Sequence, residues 1–536
     1  MNKVIKNKKH KGDFQFNDSH IQFFERGTAE YEGQHLSNVY LDNEFIHQAA
    51  DFNSIRTFFI ARTGVGKSAI IEHIKAKNES KFVIQIDPES FIPQLLQSGN
   101  YLEILQKNGI SIEYFLKTLW RFIIVAELLR RRHGADKRRW IDKVFSKDEV
   151  GDRARKFLDR HKMLMSDVSF GERILSYISD LKIKIEAIGI KFDFGSIDQS
   201  KKQAVRDAIR EFEFSEINTL VKQLDDLISG ESYYILIDDL DKAIVDSSLG
   251  VELIKSLFLA LVDIANLKQV KVVVSLRTNL FAQIKFNQPE KLRAFISHMS
   301  WSDNDLKRML DRRFGYLFDV DTNYIWSNIF PTEIHFDRER ISIHKYLMRM
   351  SNRRPRDLFL FVASAMKYVK GKSRISQEAF KKCEEEFSQD RLINFIAEWD
   401  SPFCGLAELL SYFQGVDPVM SGKDLRKIID SMIIHAEVDT KFRWLYEGEY
   451  IKNDEKNYGD PNGLFLLLFR VGVIGFRDIS GKLRFCFDYE TAPNSLNLRD
   501  DTAIFVNPAF AHALTKTNAI YRQAPDVEVE ESRLSD

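Results

Sequence analysis

At 536 residues the chain exceeds what one hydrophobic core can serve, so roughly two to four domains are expected. Its 44% hydrophobic and 29% charged residues exclude wholesale disorder, and matched counts of 78 basic and 78 acidic side chains exclude a protein that coats nucleic acid or membrane by bulk charge. Cys383, Cys404 and Cys486 are widely spaced, form no metal-ligand pattern and suit a reducing cytoplasm.

Met1 to about Asp18 is Lys-rich and polar, which predicts a frayed basic tail and not a signal peptide. Apolar positions between Ile21 and Asp51 predict a helical lead-in. A strand over Thr57–Ile60 then runs into Ala61-Arg-Thr-Gly-Val-Gly-Lys-Ser68 and an amphipathic helix, the order of a phosphate-binding P-loop. Gly64 and Gly66 let backbone N–H groups curl around phosphate oxygens, Lys67 reaches the β- and γ-phosphates, and Ser68 offers a hydroxyl to Mg²⁺. The helix that opens at Lys67 adds its unpaired N–H groups and positive dipole end. Ala61, Arg62, Thr63, Gly64, Val65, Gly66, Lys67, Ser68 and Ala69 are therefore the expected nucleotide-binding run. Ala61 departs from the pattern, which has glycine there.

A second buried strand is predicted over Lys81–Asp87, and from Pro88 to about Gly230 the pattern is helical, a large insertion. Within it Phe122–Leu129 is too short to span a bilayer and is flanked by Arg121 and Arg130, so it predicts a buried helix. Arg130, Arg131, Arg132, Lys137, Arg138 and Arg139 form a basic cluster that reads either as a solvated turn or as a nucleic-acid or partner patch.

Tyr233–Asp241 predicts a central strand that delivers two acids to the sheet's carboxyl edge, where open α/β folds bind ligands. Asp238 fits the Mg²⁺-holding carboxylate, and Asp239 fits the group that polarises the attacking water. The strand over Lys271–Thr278 ends in polar groups at the same edge. Arg277 suits a γ-phosphate through two parallel bonds, or else a structural carboxylate such as Asp241. A fifth strand is expected near Ala294–Met299.

Trp301 to about Arg374 predicts a helical lid, with Leu306, Met309, Leu310 and Phe314 on one apolar face. Pro355 can start a helix around which Arg353, Arg354 and Arg356 crowd, and an arginine there, Arg356, can reach nucleotide phosphates. In the last third, helices near Leu406–Phe413, Lys423–His435 and Gly463–Phe469 precede two strands, Val473–Arg477 and Leu483–Tyr489, around a glycine-containing turn. That succession predicts a winged-helix-like shape. Its apolar helix is uniform enough to be buried instead of reading DNA bases.

With these residues in place the chain resembles bacterial P-loop ATPases related to the AAA+, KAP and STAND classes, on Ala61–Ser68, Ile235–Asp241, Ser275–Arg277 and Arg354–Asp357. The resemblance implies an α/β P-loop NTPase parallel sheet with a large helical insertion, a helical lid and a C-terminal winged-helix-like domain. It places the lead-in at 1–50, the ATPase core at 51–300 with the insertion at about 90–230, the lid at 301–375, the helical and winged-helix-like region at 376–520 and an acidic tail at 521–536. It further implies ATP and Mg²⁺ as cofactors, hydrolysis used as a switch, homo-oligomerisation with an arginine offered between subunits (Arg312 and Arg313 beside Arg356) and a role in defence against phage. A protein effector partner and a cytoplasmic, membrane-free location go with this reading. An ATP-controlled DNA-binding protein is the alternative.

Overall fold

The computed structural model describes residues 14–27, 35–97, 111–133, 149–164, 168–187, 215–228, 230–238, 240, 248–284, 286, 288–336, 339–400, 403–446, 458–489 and 495–515. They divide into two compact units. One comprises Asp42–Arg62 and Lys67–Met299; the other comprises the residues up to Leu41, the short stretch Thr63–Gly66, and everything from Ser300 onward.

The first unit is built on a five-stranded sheet of β1 (Phe58–Ala61), β2 (Val83–Ile86), β3 (Tyr233–Ile237), β4 (Val270–Arg277) and β5 (Ile296–His298), in the order β2-β3-β4-β1-β5. All four pairings are parallel. Continuous β-branched and aromatic runs make these strands, and β1 and β3 are buried along their whole length, as a sheet covered on both faces requires. The expected fifth strand is present, shortened to three residues. The helix Ile112–His133 carries the apolar run Phe122–Leu129 into the core, where every residue of it is buried. Trp120 Nε1 donates to Leu253 O of the helix Ser248–Ile264 at 3.1 Å, and the Phe58 ring stacks on Phe258 with centroids 3.5 Å apart. Such packing gives the sheet a rigid floor.

Two members of the basic cluster turn inward to neighbouring acids. Arg130 pairs with Glu127 at 2.8 Å and Arg132 with Glu231 at 3.4 Å, both from the last turn of the helix and not from a turn between helices. Lys137, Arg138 and Arg139 lie outside the described residues.

At the opposite end of β4 from its polar terminus, Lys271 is buried, and its ammonium donates to Ser54 O at 2.6 Å and Arg56 O at 2.8 Å. Burial pushes the Lys271 amine down to about 8, against a weaker upward pull from Asp51. An unfolded lysine titrates near 10.4. Between those values the unfolded chain binds one more proton than the folded one, so this group adds stability as pH rises from about 8 to about 10, by roughly 3 kcal/mol in all. Chemical denaturation of the wild type at pH 8 and pH 10 should show that gain, and Lys271→Met should remove it.

In the second unit, Leu306, Met309, Leu310 and Phe314 form the buried face of the helix Asp303–Phe318, as the spacing predicts. The stretch to Arg374 is not wholly helical. An antiparallel pair, β6 (Glu333–Phe336) and β7 (Glu339–Ser342), interrupts it, with Ile334, Phe336 and Ile341 buried on alternating positions, a period of two that overrides the helical expectation. Arg313 does not project outward as an intersubunit residue would: it is 4% exposed, its guanidinium 3.8 Å from the centroid of the Phe359 ring. Arg312 donates to Tyr40 O.

The last third holds the long helix Gln377–Trp399 and a four-stranded antiparallel sheet, β10-β9-β11-β8, made of β8 (Val419–Ser421), β9 (Ile474–Arg477), β10 (Leu483–Arg484) and β11 (Ala503–Val506). The hairpin β9–β10 lies where it was expected, although β10 stops after two residues and a 3₁₀ turn, Cys486–Asp488, replaces its continuation. β8 and β11 complete the sheet from segments too short to carry a sequence signal of their own. The helix Pro461–Val471 is buried at every residue from Gly463 to Phe469. Arg484 pairs with Asp478 at 2.8 Å and Arg477 donates to Gly481 O at 3.0 Å, so both arginines are engaged inside the hairpin. Among the described residues, no helix is long and apolar enough to cross a membrane.

Candidate nucleotide-binding site

The sheet register fixes which residues meet at its carboxyl edge. Ile237 lies opposite Val274, so the next residue on each chain, Asp238 and Ser275, come level, and the Ser275 hydroxyl donates to the Asp238 carboxylate. On the other side of β4, Arg277 is the register partner of Ala61. β4 thus separates the strand that leads into the glycine turn from the strand that ends in the acid. Arg277 caps β4 and precedes the helix Thr278–Gln283. Asp239 and Asp241 lie outside the described residues.

Ala61 closes β1 as an ordinary buried strand residue, which is why glycine is dispensable there. The left-handed conformations fall at Gly64, φ +79°, and Gly66, φ +108°, the two positions where an L side chain would be strained. The helix begins at Lys67 and puts Ser68 and Ala69 in its first turn, with the N–H groups of that turn lacking intrahelical partners. Gly64, Gly66, Lys67, Ser68 and Ala69 are half-buried, open enough for a ligand to reach their donors. The Lys67 ammonium donates to Ala61 O at 3.2 Å and Arg62 O at 3.3 Å, folded back along the loop. These residues fit a nucleotide polyphosphate: two left-handed glycines, a helix N-terminus and a lysine on one turn. The Ser68 hydroxyl and Asp238 carboxylate are hard oxygen ligands of the kind Mg²⁺ takes.

Thr63–Gly66 belongs to the second unit through specific bonds. Trp301 Nε1 donates to Val65 O at 2.7 Å, Arg356 N–H donates to Gly64 O at 3.3 Å, and the Thr63 hydroxyl donates to Glu398 at 3.0 Å. A Cβ added to Gly64 would lie 3.3 Å from Arg356 Cβ, so the glycine also makes room for that arginine. These contacts put the Arg356 backbone and the start of its side chain beside the glycine turn.

The turn that delivers Arg356 is held against its own preference. Asn352, φ +51°, and Arg353, φ +54°, are consecutive non-glycine residues in the left-handed region, at a cost of about 1–3 kcal/mol each. Burial of Asn352 at 3% exposure and the ion pairs of Arg353 to Asp303, 2.7 Å, and to Asp488, 2.9 Å, fix the turn. Pro355 then opens the helix Pro355–Lys367 at a position that needs no N–H donor. Arg354 pairs with Glu398 at 3.3 Å, and Asp357 with Arg391 at 2.6 Å. Burial alone would lower the Arg354 guanidinium's affinity for its proton, but the carboxylates of Glu398 and Asp357 reverse that and hold it charged. Glu398 and Trp301 are the residues sequence reasoning missed. Glu398 ends a long helix that has no motif, and Trp301 looks like an ordinary aromatic.

Residues 304–396 match a family model described as the FunZ-associated C-terminal helical domain, which is well under half of the chain. No curated protein matches the chain. Among solved structures the chain is similar to a Walker-type ATPase of Pyrococcus abyssi, at 12% identity over 90% of this chain and 96% of that one, with a TM-score of 0.31.

Proposed function

We propose that the chain is a Mg²⁺-dependent ATPase whose hydrolysis of ATP resets a conformational switch. The observation that carries this reading is the parallel sheet in which the Gly64–Ser68 turn follows β1 while Asp238, bonded to Ser275 of the intervening β4, ends β3. In this reading Lys67 grips the β- and γ-phosphates, Ser68 and Asp238 hold Mg²⁺, Asp239 polarises the attacking water, and Arg277 and Arg356 contact phosphate. Mg²⁺ supplies charge neutralisation at the transferred phosphoryl group when bound.

The resemblance to AAA+, KAP and STAND ATPases extends the proposal to a homo-oligomer acting in the cytoplasm in anti-phage defence or a similar stress response, with a protein effector. Burial of the helix Pro461–Val471 and the internal engagement of Arg477 and Arg484 count against base reading by the winged-helix-like region, for which the role proposed is protein docking. Titration calorimetry of the full chain should show ATP binding that strengthens with Mg²⁺. A fluorescent duplex titrated against the same protein should bind weakly, with a steep salt dependence. Absence of ATP binding would remove the ATPase reading, and tight, sequence-discriminating duplex binding at physiological salt would replace it with the DNA regulator.

A further inference from the structure

The Glu398 side chain is 7% exposed, yet it carries a carboxylate to the glycine turn of the P-loop. Its Oε1 accepts from the Thr63 hydroxyl at 3.0 Å and from the Thr63 N–H at 3.5 Å, and its Oε2 accepts from Arg354 Nη1 at 3.3 Å. A hydroxyl, a backbone N–H in a glycine turn and a guanidinium are the donors that recognise phosphate oxygens. Here an acidic side chain occupies them.

The position is also specific along the loop. Lys67, the amine that reaches β- and γ-phosphates in this motif, rests on the carbonyls of Ala61 and Arg62, the two residues immediately before Thr63. Thr63 thus lies between those carbonyls and the left-handed Gly64, inside the turn that this motif wraps around phosphate, and not in the helix that follows.

We infer that Glu398 is an internal phosphate surrogate through which the site distinguishes nucleoside triphosphate from diphosphate, an inference that rests on the ATPase reading of the P-loop. With a diphosphate the carboxylate keeps its bonds to Thr63 and Arg354. A triphosphate brings a second anion to the same donors; two anions in a poorly solvated place repel, so Glu398 gives up Thr63 and Arg354. Arg354 is then left to pair with the phosphate. Because Glu398 ends the long helix Gln377–Trp399 and Arg354 caps Pro355–Lys367, the exchange changes the contacts of both helix ends. Glu398 is a positioning and discriminating residue in this scheme, not a catalytic one.

The test is equilibrium titration of the full chain with N-methylanthraniloyl-labelled ATP and ADP, comparing wild type, Glu398→Gln and Thr63→Val, with melting curves for each protein. Glu398→Gln keeps an acceptor for Thr63 but no charge. It should tighten ATP by about tenfold, a loss of one close like charge, while ADP moves about twofold or less. Thr63→Val removes a donor from the carboxylate and from the phosphate alike, so it should move the ATP-to-ADP ratio by a smaller factor than Glu398→Gln does. A purely structural Glu398 would weaken both nucleotides together in Glu398→Gln, and that result, or an unchanged ratio in both variants, overturns the proposal. Wild-type protein that binds neither nucleotide overturns the ATPase reading and this proposal with it, whereas wild-type binding abolished by Lys67→Ala, with no change of ratio at Glu398, overturns this proposal alone.

Discussion

Lys67→Ala is expected to weaken ATP binding by about two orders of magnitude, because the lost ammonium makes charge-assisted hydrogen bonds worth up to ~3 kcal/mol in the ground state. Asp239→Asn is expected to do the opposite: binding within about twofold of wild type, with turnover lower by about 10²–10³, since a group that orients water acts in the transition state. The split between the two variants is the informative part. One residue sits on a turn whose amine can swing from the carbonyls of Ala61 and Arg62 to a phosphate, and the other follows Asp238 at the end of β3. Calorimetric affinity and steady-state phosphate release for both proteins check the pair. Wild-type turnover in either variant would contradict the assignment.

The second large effect is structural. Asp357 in the first turn of Pro355–Lys367 and Arg391 on Gln377–Trp399 form an ion pair at 2.6 Å, with both side chains largely buried. Asp357→Ala leaves the Arg391 guanidinium in the interior without its partner, which should cost about 3–5 kcal/mol. Replacing both members, Asp357→Leu with Arg391→Met, should restore most of that loss, because removing a buried pair also removes its desolvation penalty. Urea unfolding followed by tryptophan fluorescence gives the comparison. Since the same helix start carries Arg354 and Arg356, the single variant should also weaken ATP binding at temperatures where the protein remains folded.

The parts of the site legible in the sequence are those whose chemistry needs neighbouring residues. Gly64, Gly66, Lys67 and Ser68 must be contiguous to wrap a phosphate, and Asp238 must end an apolar strand to reach the sheet edge, so both leave a local signature. The departure at Ala61 falls on a position that is still strand, where the backbone needs no glycine. The bond between Ser275 and Asp238 was not legible, since it depends on the register of β3 against β4. Glu398 was further out of reach: it meets Thr63 across 335 residues, and nothing in the helix Gln377–Trp399 marks one glutamate among several. The arginines show the same limit from the other side. Arg312, Arg313, Arg354 and Arg356 are equivalent in composition, and only packing separates Arg313 on the Phe359 ring from Arg356 against Gly64. The pair β6–β7 was absorbed into a helical stretch because four-residue strands give too few periods to outweigh their flanks.

Release of inorganic phosphate from ATP by the purified full chain, with Mg²⁺ and with the metal chelated, compared with Lys67→Ala, tests the central claim most directly. The proposed ATPase predicts release that requires Mg²⁺ and falls to background in Lys67→Ala. Equal release by wild type and Lys67→Ala, or release indifferent to Mg²⁺, would contradict it.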